Sequence, residues 1–365
     1  MKINSGVYYF CAFLALLAFV LVSSFGCSKS SSPTPVPTTT TITSTTTTST
    51  RASTTTTTTS TTTMTDPVGI TWSQIIPSPA LHSRAGGACA SLNGKIYILG
   101  GEVEPDGGAT NEVLSSTDGI TWTSSFAPWA PRNRAAATVH NNVIWLFGGG
   151  GDGGATYGDI WTFDGSTWTP ITLQASGIGS REEESLVSFQ GQLWAGGGDD
   201  GTTSYRDLWN STDGITWNPV TSFPGNDFGF VFAIGNSTLV YYSLFVDTSI
   251  TIEANTSTNG TTWTTGTLSF PVEYAGYFPI TILGTPNKLF ALGGVLQSTG
   301  DDTNEVVSTT DGLTWRLVTP EAPWLPRERA INTFDGNKIW LIAGKTKVEG
   351  GSDIYYNDVW VSPAQ

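Results

Sequence analysis

STDGITW at 116–122 is a phrase the chain keeps repeating: STDGITW at 211–217, STNGTTW at 257–263 and STTDGLTW at 308–315. FDGSTW at 163–168 is a looser copy, and DPVGITW at 66–72 a truncated one. Asp-Gly and Asn-Gly tolerate the positive φ of a two-residue type I′ hairpin turn. The Ile/Leu/Thr-Thr-Trp that follows reads as an outer strand with its Trp on one face. The closing residues Trp72, Trp122, Trp168, Trp217, Trp263 and Trp315 are spaced 50, 46, 49, 46 and 52 apart. A period this long, carrying several short strands, predicts the blades of a β-propeller.

Six such units fill residues 66–362 of the 365, which favours one closed all-β domain over two globular ones. A domain of that size buries roughly three-quarters of the surface its unfolded chain exposes. All 30 acidic residues lie from Asp66 onward, against 13 of the 16 Lys and Arg, a balance of −17. Nucleic acid is excluded as a partner on that ground, because its binding rests on cations that neutralise phosphates.

Residues 1–27 read as an export signal: Lys2, an apolar run over Val7–Val22, then SSFGC at 23–27. This resembles a bacterial lipoprotein signal, which would make Cys27 the lipid-bearing residue. Ser24 and Phe25 depart from that pattern. The alternative is an uncleaved anchor, since Val7–Gly26 is long enough to span a bilayer. Both readings place the domain in the bacterial cell envelope, touching the membrane only through its N-terminus. Residues 28–65 are rich in Ser, Thr and Pro, cannot form a core, and read as a disordered stalk with a reach of about 35 Å. Residues 66–365 are then the propeller. Cys89 is the one cysteine left in it, so there is no disulfide framework.

Within the first unit, Arg84–Leu92 reads as an inner strand, Asn93-Gly94 as a turn and KIYIL at 95–99 as a second strand ended by Gly100-Gly101. NEVLSST forms the third strand, and the fourth lies around Trp122. Runs such as IYIL, IWLF and IWLI are apolar throughout, as strands covered on both faces are. The sixth unit supplies only three strands before the chain stops at Gln365. The orphan strand at 66–76 is therefore expected to complete the last blade and close the ring, removing open sheet edges.

This pattern resembles the kelch repeat. The residues that carry the resemblance are Gly100-Gly101, Gly148-Gly149, Gly197-Gly198 and Gly293-Gly294, the outer-strand Trp, and the third-strand motifs NEVL, GDIW, RDLW, NEVV and NDVW. It implies a six-bladed kelch-type propeller with four-stranded blades. The acids of the third strand, Glu112, Asp159, Asp207, Glu305 and Asp358, with Glu253 in the fourth unit, read as structural acceptors. The turn phrase also resembles the Asp-box of sialidases, short of one residue, and that box marks fold rather than catalysis. The chain departs from galactose oxidase, another kelch-type propeller, because its only histidines, His82 and His140, lie at opposite ends of their strands. No metal and no cofactor is expected. The Asp-rich loops at 148–156 and 300–305 lack a recognisable calcium spacing and read as solvated.

Aligning the units places Arg84, Arg132, Arg181 and Arg327 at equivalent positions at the start of the inner strand, with Asp227 and Tyr277 there in the fourth and fifth units. Arg134 and Arg329 form a partial second tier. Two readings compete for the ring: forked donors for an anionic ligand at the channel mouth, or an architectural pairing with the repeated acids. APWAPR at 127–132 and APWLPR at 322–327 bring Trp129 and Trp324 to the same face, as ligand-stacking rings or as packing. Glu182, Glu183 and Glu184 follow Arg181, and strand alternation predicts Glu183 on the arginine's face.

The ligand-binding set is thus Arg84, Arg132, Arg181, Arg327, Asp227, Tyr277, Trp129 and Trp324. The preferred function is a tethered, monomeric, non-catalytic module that binds a carbohydrate or protein at the channel mouth. The alternative is an enzyme similar to the periplasmic N-acetylneuraminate epimerases. That resemblance implies the arginine ring for the sugar carboxylate and Glu183 or Tyr277 for proton transfer.

Overall fold

The structure, a computed structural model, describes residues 71–174, 177–221, 229–246, 250–270, 281–295, 301–348 and 351–363. Six four-stranded antiparallel sheets account for the repeat, one per unit. Blade 1 runs Ala88–Leu92, Lys95–Leu99, Glu112–Ser116 and Thr123–Phe126 from the axis outward. Blades 2 and 3 repeat it from inner strands Ala136–His140 and Ser185–Phe189. Blades 4 and 5 start at Gly229–Ile234 and Ile282–Gly284.

Blade 6 takes Ile331–Phe334, Lys338–Thr346 and Ile354–Pro363 from the end of the chain, and its outer strand, Ser73–Ile75, from the beginning. The register pairs Ser73 with Val361, Gln74 with Trp360 and Ile75 with Val359. The expected closure is present, and its packing shows why it holds. Leu81, Ile96, Ile98, Leu114 and Trp122 share one apolar cluster with Ile331, Trp340, Ile342, Val359 and Val361, so the first and last blades are fused like any other pair. Trp72 meets Trp324 edge-on at 4.4 Å and seals the next seam.

The repeated phrase is not the type I′ hairpin expected of it. Only the glycine has positive φ (Gly119 at 73°, Gly214 at 70°), whereas a type I′ turn needs two such residues. The loop is instead wound around side-chain oxygens. Asp118 Oδ1 accepts the amides of Ile120 and Thr121, each at 2.8 Å, and Ser116 Oγ accepts that of Gly119 at 2.8 Å. Trp122 then donates its indole N–H to the Gly119 carbonyl at 2.9 Å and is buried. Asp213, Asn259 and Asp311 repeat the arrangement. The glycine has a second cause besides φ. A Cβ on Gly119 would lie 2.5 Å from the Trp340 ring, and one on Gly214 would lie 2.1 Å from that of Trp145. Each turn is pressed against the second strand of the preceding blade.

The inner strand is shorter than expected. Arg84–Ala85 leaves it to pair with Glu102–Val103 of the loop after strand two, and the strand proper begins at Ala88. This separates two faces of the disc. Entry loops and post-strand-two loops lie at the channel mouth; the wound Asp-Gly turns lie on the opposite face. The described chain enters at Thr71-Trp72 on the turn face, beside the end of the last strand.

Candidate functional site: the channel mouth

The four aligned arginines do not face the channel. Arg84, Arg132, Arg181 and Arg327 are each 0% exposed, and each is clamped within its own blade by that blade's repeated acid. Arg132 is representative. Its Nη1 and Nη2 bond the two oxygens of Asp159 at 2.7 and 2.9 Å, Nη1 also reaches the Gly148 carbonyl, and Nε bonds the Ala130 carbonyl. The guanidinium stacks on Tyr157 at 4.5 Å. Arg181 and Arg327 repeat every element, with Asp207 and Tyr205 or Asp358 and Tyr356 as partners. Arg84 holds Glu112 at 2.5 Å. Burial alone would push the Asp159 carboxyl up, but the Arg132 bond and charge, with the Trp161 N–H, hold it below the usual range. The expectation of a ligand-binding arginine ring gives way to the architectural reading: these donors are spent inside the protein.

The third-strand motif now has a cause. In Asp-Ile-Trp, Asp-Leu-Trp and Asp-Val-Trp the indole of Trp161, Trp209 or Trp360 donates to the Asp two residues before it, at 2.7 Å each time. The acid therefore receives an Arg fork and an indole together. Trp129 and Trp324 are also core residues, each 2% exposed, so the stacking role expected of them gives way to packing. Trp129 lies edge-on to Trp168 at 5.7 Å. Asp227 and Tyr277 lie outside the described residues.

Two residues beyond each clamp the situation reverses. Gly86, Arg134, Glu183 and Arg329 occupy one equivalent position, all with φ between 53° and 61°. Their backbones are linked across blade boundaries: Gly86 N–H to the Arg329 carbonyl, Arg134 N–H to the Gly86 carbonyl, and Glu183 N–H to the Arg134 carbonyl. Four blades, 6, 1, 2 and 3, are thereby stitched at the mouth. The left-handed conformation breaks the strand alternation used to place the glutamates. Glu183 sits between Arg134 and Arg329 at 3.4 and 3.3 Å, Glu182 pairs with Arg134 at 2.8 Å, and Glu184 is buried between blades 2 and 3, accepting the Ala136 amide.

Residues unlinked to this tier in the sequence complete the site. Glu102 bonds Arg329 at 2.7 Å, Lys345 at 3.0 Å and the Tyr355 hydroxyl at 3.2 Å. Glu102 and Lys345 each follow a glycine at the equivalent place in their units, Gly101 and Gly344, and that shared position is the sequence signal that points to them. Burial would raise the Glu102 carboxyl, but Arg329 and Lys345 together hold it below its ordinary value. For Glu182 burial prevails: despite Arg134, and with Glu183 adding to it, its carboxyl rises to about 7. The mouth therefore offers cationic forks, carboxylates and an acid that titrates near neutrality. Among the described residues no group of three or more His, Cys, Asp or Glu could hold a metal ion.

Below the mouth the inner strands enclose a channel cavity of about 570 Å³, within the range of small-molecule sites. Ser91, Thr138, Ser188 and Asn332 are among its polar lining.

Residues 86–226 match the family model of the KLHDC2/KLHL20/DRC7 kelch-repeats domain. The solved structure titled "Structure of YjhT" is similar with a TM-score of 0.57 at 14% identity, covering 80% of this chain and 99% of that one. Among curated proteins no sequence matches. In all, 457 chains of solved structures match, so the fold alone does not select a function.

Proposed function

Taking a kelch-repeat β-propeller as the premise, we propose that it is an exported, membrane-tethered, monomeric recognition module of the bacterial cell envelope. It binds a carbohydrate or protein ligand at the channel mouth and does no chemistry there. The observation that supports this is the second tier. Arg134 and Arg329 keep 15% and 14% of their side chains exposed and share Glu183 through contacts of 3.4 and 3.3 Å. Glu182 and Glu102 hold the two arginines by short pairs, at 2.8 and 2.7 Å, whereas the contacts to the 35% exposed Glu183 are long, and those are the ones a ligand's own polar groups can replace. The chain's path agrees with a tether. The described chain enters on the turn face, so a stalk attached there, held by a lipid on Cys27 or by an uncleaved anchor, leaves the mouth pointing outward.

The second reading is turnover of an anionic sugar of the N-acetylneuraminate type, and Glu182 is the residue that favours it. A carboxyl titrating at about 7 beside Arg134 is suited to moving a proton next to a bound anion. Glycan and peptide arrays, run beside an N-acetylneuraminate interconversion assay, separate the two. Recognition predicts binding without turnover, lost in Arg134→Ala and Arg329→Ala. Turnover abolished by Glu182→Gln would replace it with the enzymatic reading. Binding that neither arginine variant weakens would remove the mouth from consideration.

A further inference from the structure

Beside the second tier lies a carboxylate that no arginine answers. Glu328, the residue before Arg329, is 3% exposed, and its Oε1 is buried without a hydrogen-bond partner. A buried carboxylate oxygen left in that state carries a desolvation cost that nothing offsets. Its Oε2 lies 3.6 Å from Lys347 Nζ, on a side chain that is 48% exposed. Arg329, next in the chain, is committed to Glu102 and Glu183.

A second acid lies nearby in the neighbouring blade. Asp302 opens the third strand of blade 5, and its Oδ2 accepts the Lys347 amide at 3.2 Å. Thr346, beside Lys347, brings further oxygens. Its hydroxyl donates to the Pro326 carbonyl and receives the Tyr356 hydroxyl at 3.0 Å, and Asp302 draws on the same hydroxyl. One hydroxyl proton cannot serve both the carbonyl and the carboxylate. Burial, and after it the Glu328 charge, pushes the Asp302 carboxyl up, so the two acids oppose one another's ionisation. Acceptors here outnumber the protons offered to them.

We propose that Glu328 and Asp302 bind a calcium ion at the mouth, across the seam between blades 5 and 6. The donor set selects the ion. Calcium takes about six to eight oxygens in flexible geometry, from carboxylates, carbonyls and water, whereas magnesium demands a near-ideal octahedron and gives up its water reluctantly. Glu328 Oε1, the Asp302 carboxylate and the Pro326 carbonyl are the protein ligands on offer, and water completes the shell. Lys347, the half-exposed cation beside Glu328, is the group that moves aside. Asp302 belongs to the loop at 300–305, whose own spacing shows no calcium pattern; its missing ligands come from the next blade. The backbone stitch joins blades 6, 1, 2 and 3, and the ion extends it from blade 6 to blade 5.

The test strips the full chain with EDTA, titrates it with calcium chloride by isothermal calorimetry and follows its melting temperature, with magnesium chloride as the second arm. Calcium should bind with a Kd of about 0.1–1 mM, the range of extracellular calcium modules. It should also raise the melting temperature, and magnesium should do neither. Glu328→Gln and Asp302→Asn should each weaken binding by about 10-fold or more, because affinity follows the charge of the ligand set. Lys347→Ala should tighten it, which a merely structural role for the two acids would not produce. Asp152→Asn, in the other Asp-rich loop, should leave the affinity unchanged. A wild-type chain that binds no calcium, or an affinity that both acid variants retain, overturns the proposal.

Discussion

Arg132 and Arg134 lie two residues apart at the same end of the same blade, and they do opposite things. Arg132 is sealed, with its donors divided between Asp159 and backbone carbonyls. Arg134 keeps contact with solvent and divides its charge between Glu182 and Glu183 of the next blade. Arg327 and Arg329 repeat the contrast in blade 6. Within a blade, an arginine can be closed off by an acid 26 to 31 residues away on the third strand. Between blades, it meets only what the neighbour's own mouth loop presents. The lesson is that repetition marks structure, while the departures from it, two residues later, mark the surface available for recognition.

The sharpest way to break the comparison is to truncate the sealed tier. Arg132→Ala empties a fully buried guanidinium site and leaves the partly exposed Asp159 carboxylate with the Trp161 N–H alone, and should cost about 2–4 kcal/mol, measured by denaturant unfolding. Arg132→Lys should recover little of it, because a point charge cannot fork across both carboxylate oxygens. A cost below about 1 kcal/mol would mean the clamp is ornamental. Gly148→Ala tests the ground between the tiers. Its Cβ would fall 2.4 Å from Glu184 Oε1 and 2.8 Å from the Arg181 carbonyl, at a φ of 65°. A loss of about 1–3 kcal/mol is expected, whereas Gly153→Ala, with open space around it, should show only the smaller cost of positive φ.

Arg134→Ala should cost about 1–2 kcal/mol and Arg329→Ala about 3 kcal/mol, because the second leaves the buried Glu102 with Lys345 and Tyr355 alone, and both should remove ligand binding on an array. The reverse outcome, unfolding with binding retained, would exchange the roles of the two tiers. The smallest effect is electrostatic. The folded-state pKa of Glu182 is raised to about 7, so the folded form holds its proton more tightly than the unfolded chain does. Its contribution is therefore most favourable at low pH and is lost as pH climbs from the ordinary carboxylate range through about 7. Glu182→Gln should raise the melting temperature at pH 8 and leave it nearly unchanged at pH 5. A variant less stable at pH 8 would show that the Arg134 pair outweighs the burial.

The legible part of this protein was the part that repeats. Trp72 through Trp315 counted the blades, and the orphan at 66–72 announced the closure, because one outer strand was missing at one end and surplus at the other. The wound turn is not legible from the backbone tolerance of Asp118, because its carboxylate holds the loop. The arginines are legible, and so is their pairing with the repeated acids as one of two readings; the choice between the two is not. A single sequence shows that Arg and acid both recur once per blade, yet not that the Tyr two residues before Asp159 and Asp207 closes over the guanidinium.

The sequence by itself determined the blade number, the ring closure and the elements that pair within each blade. Those depend on local turn chemistry and on apolar runs whose partners lie within one period. Tertiary structure alone decided the mouth and the seams. Glu102 meets Lys345 across 243 residues, Arg329 meets Glu183 across 146, and His140 meets Ser188 across 48. Each of those pairs forms only after the ring has closed and brought one blade's loop or strand edge against another's. A periodic sequence says that every blade has neighbours. It does not say which side chains they turn toward one another, because that depends on where the left-handed residues at 86, 134, 183 and 329 redirect the chain.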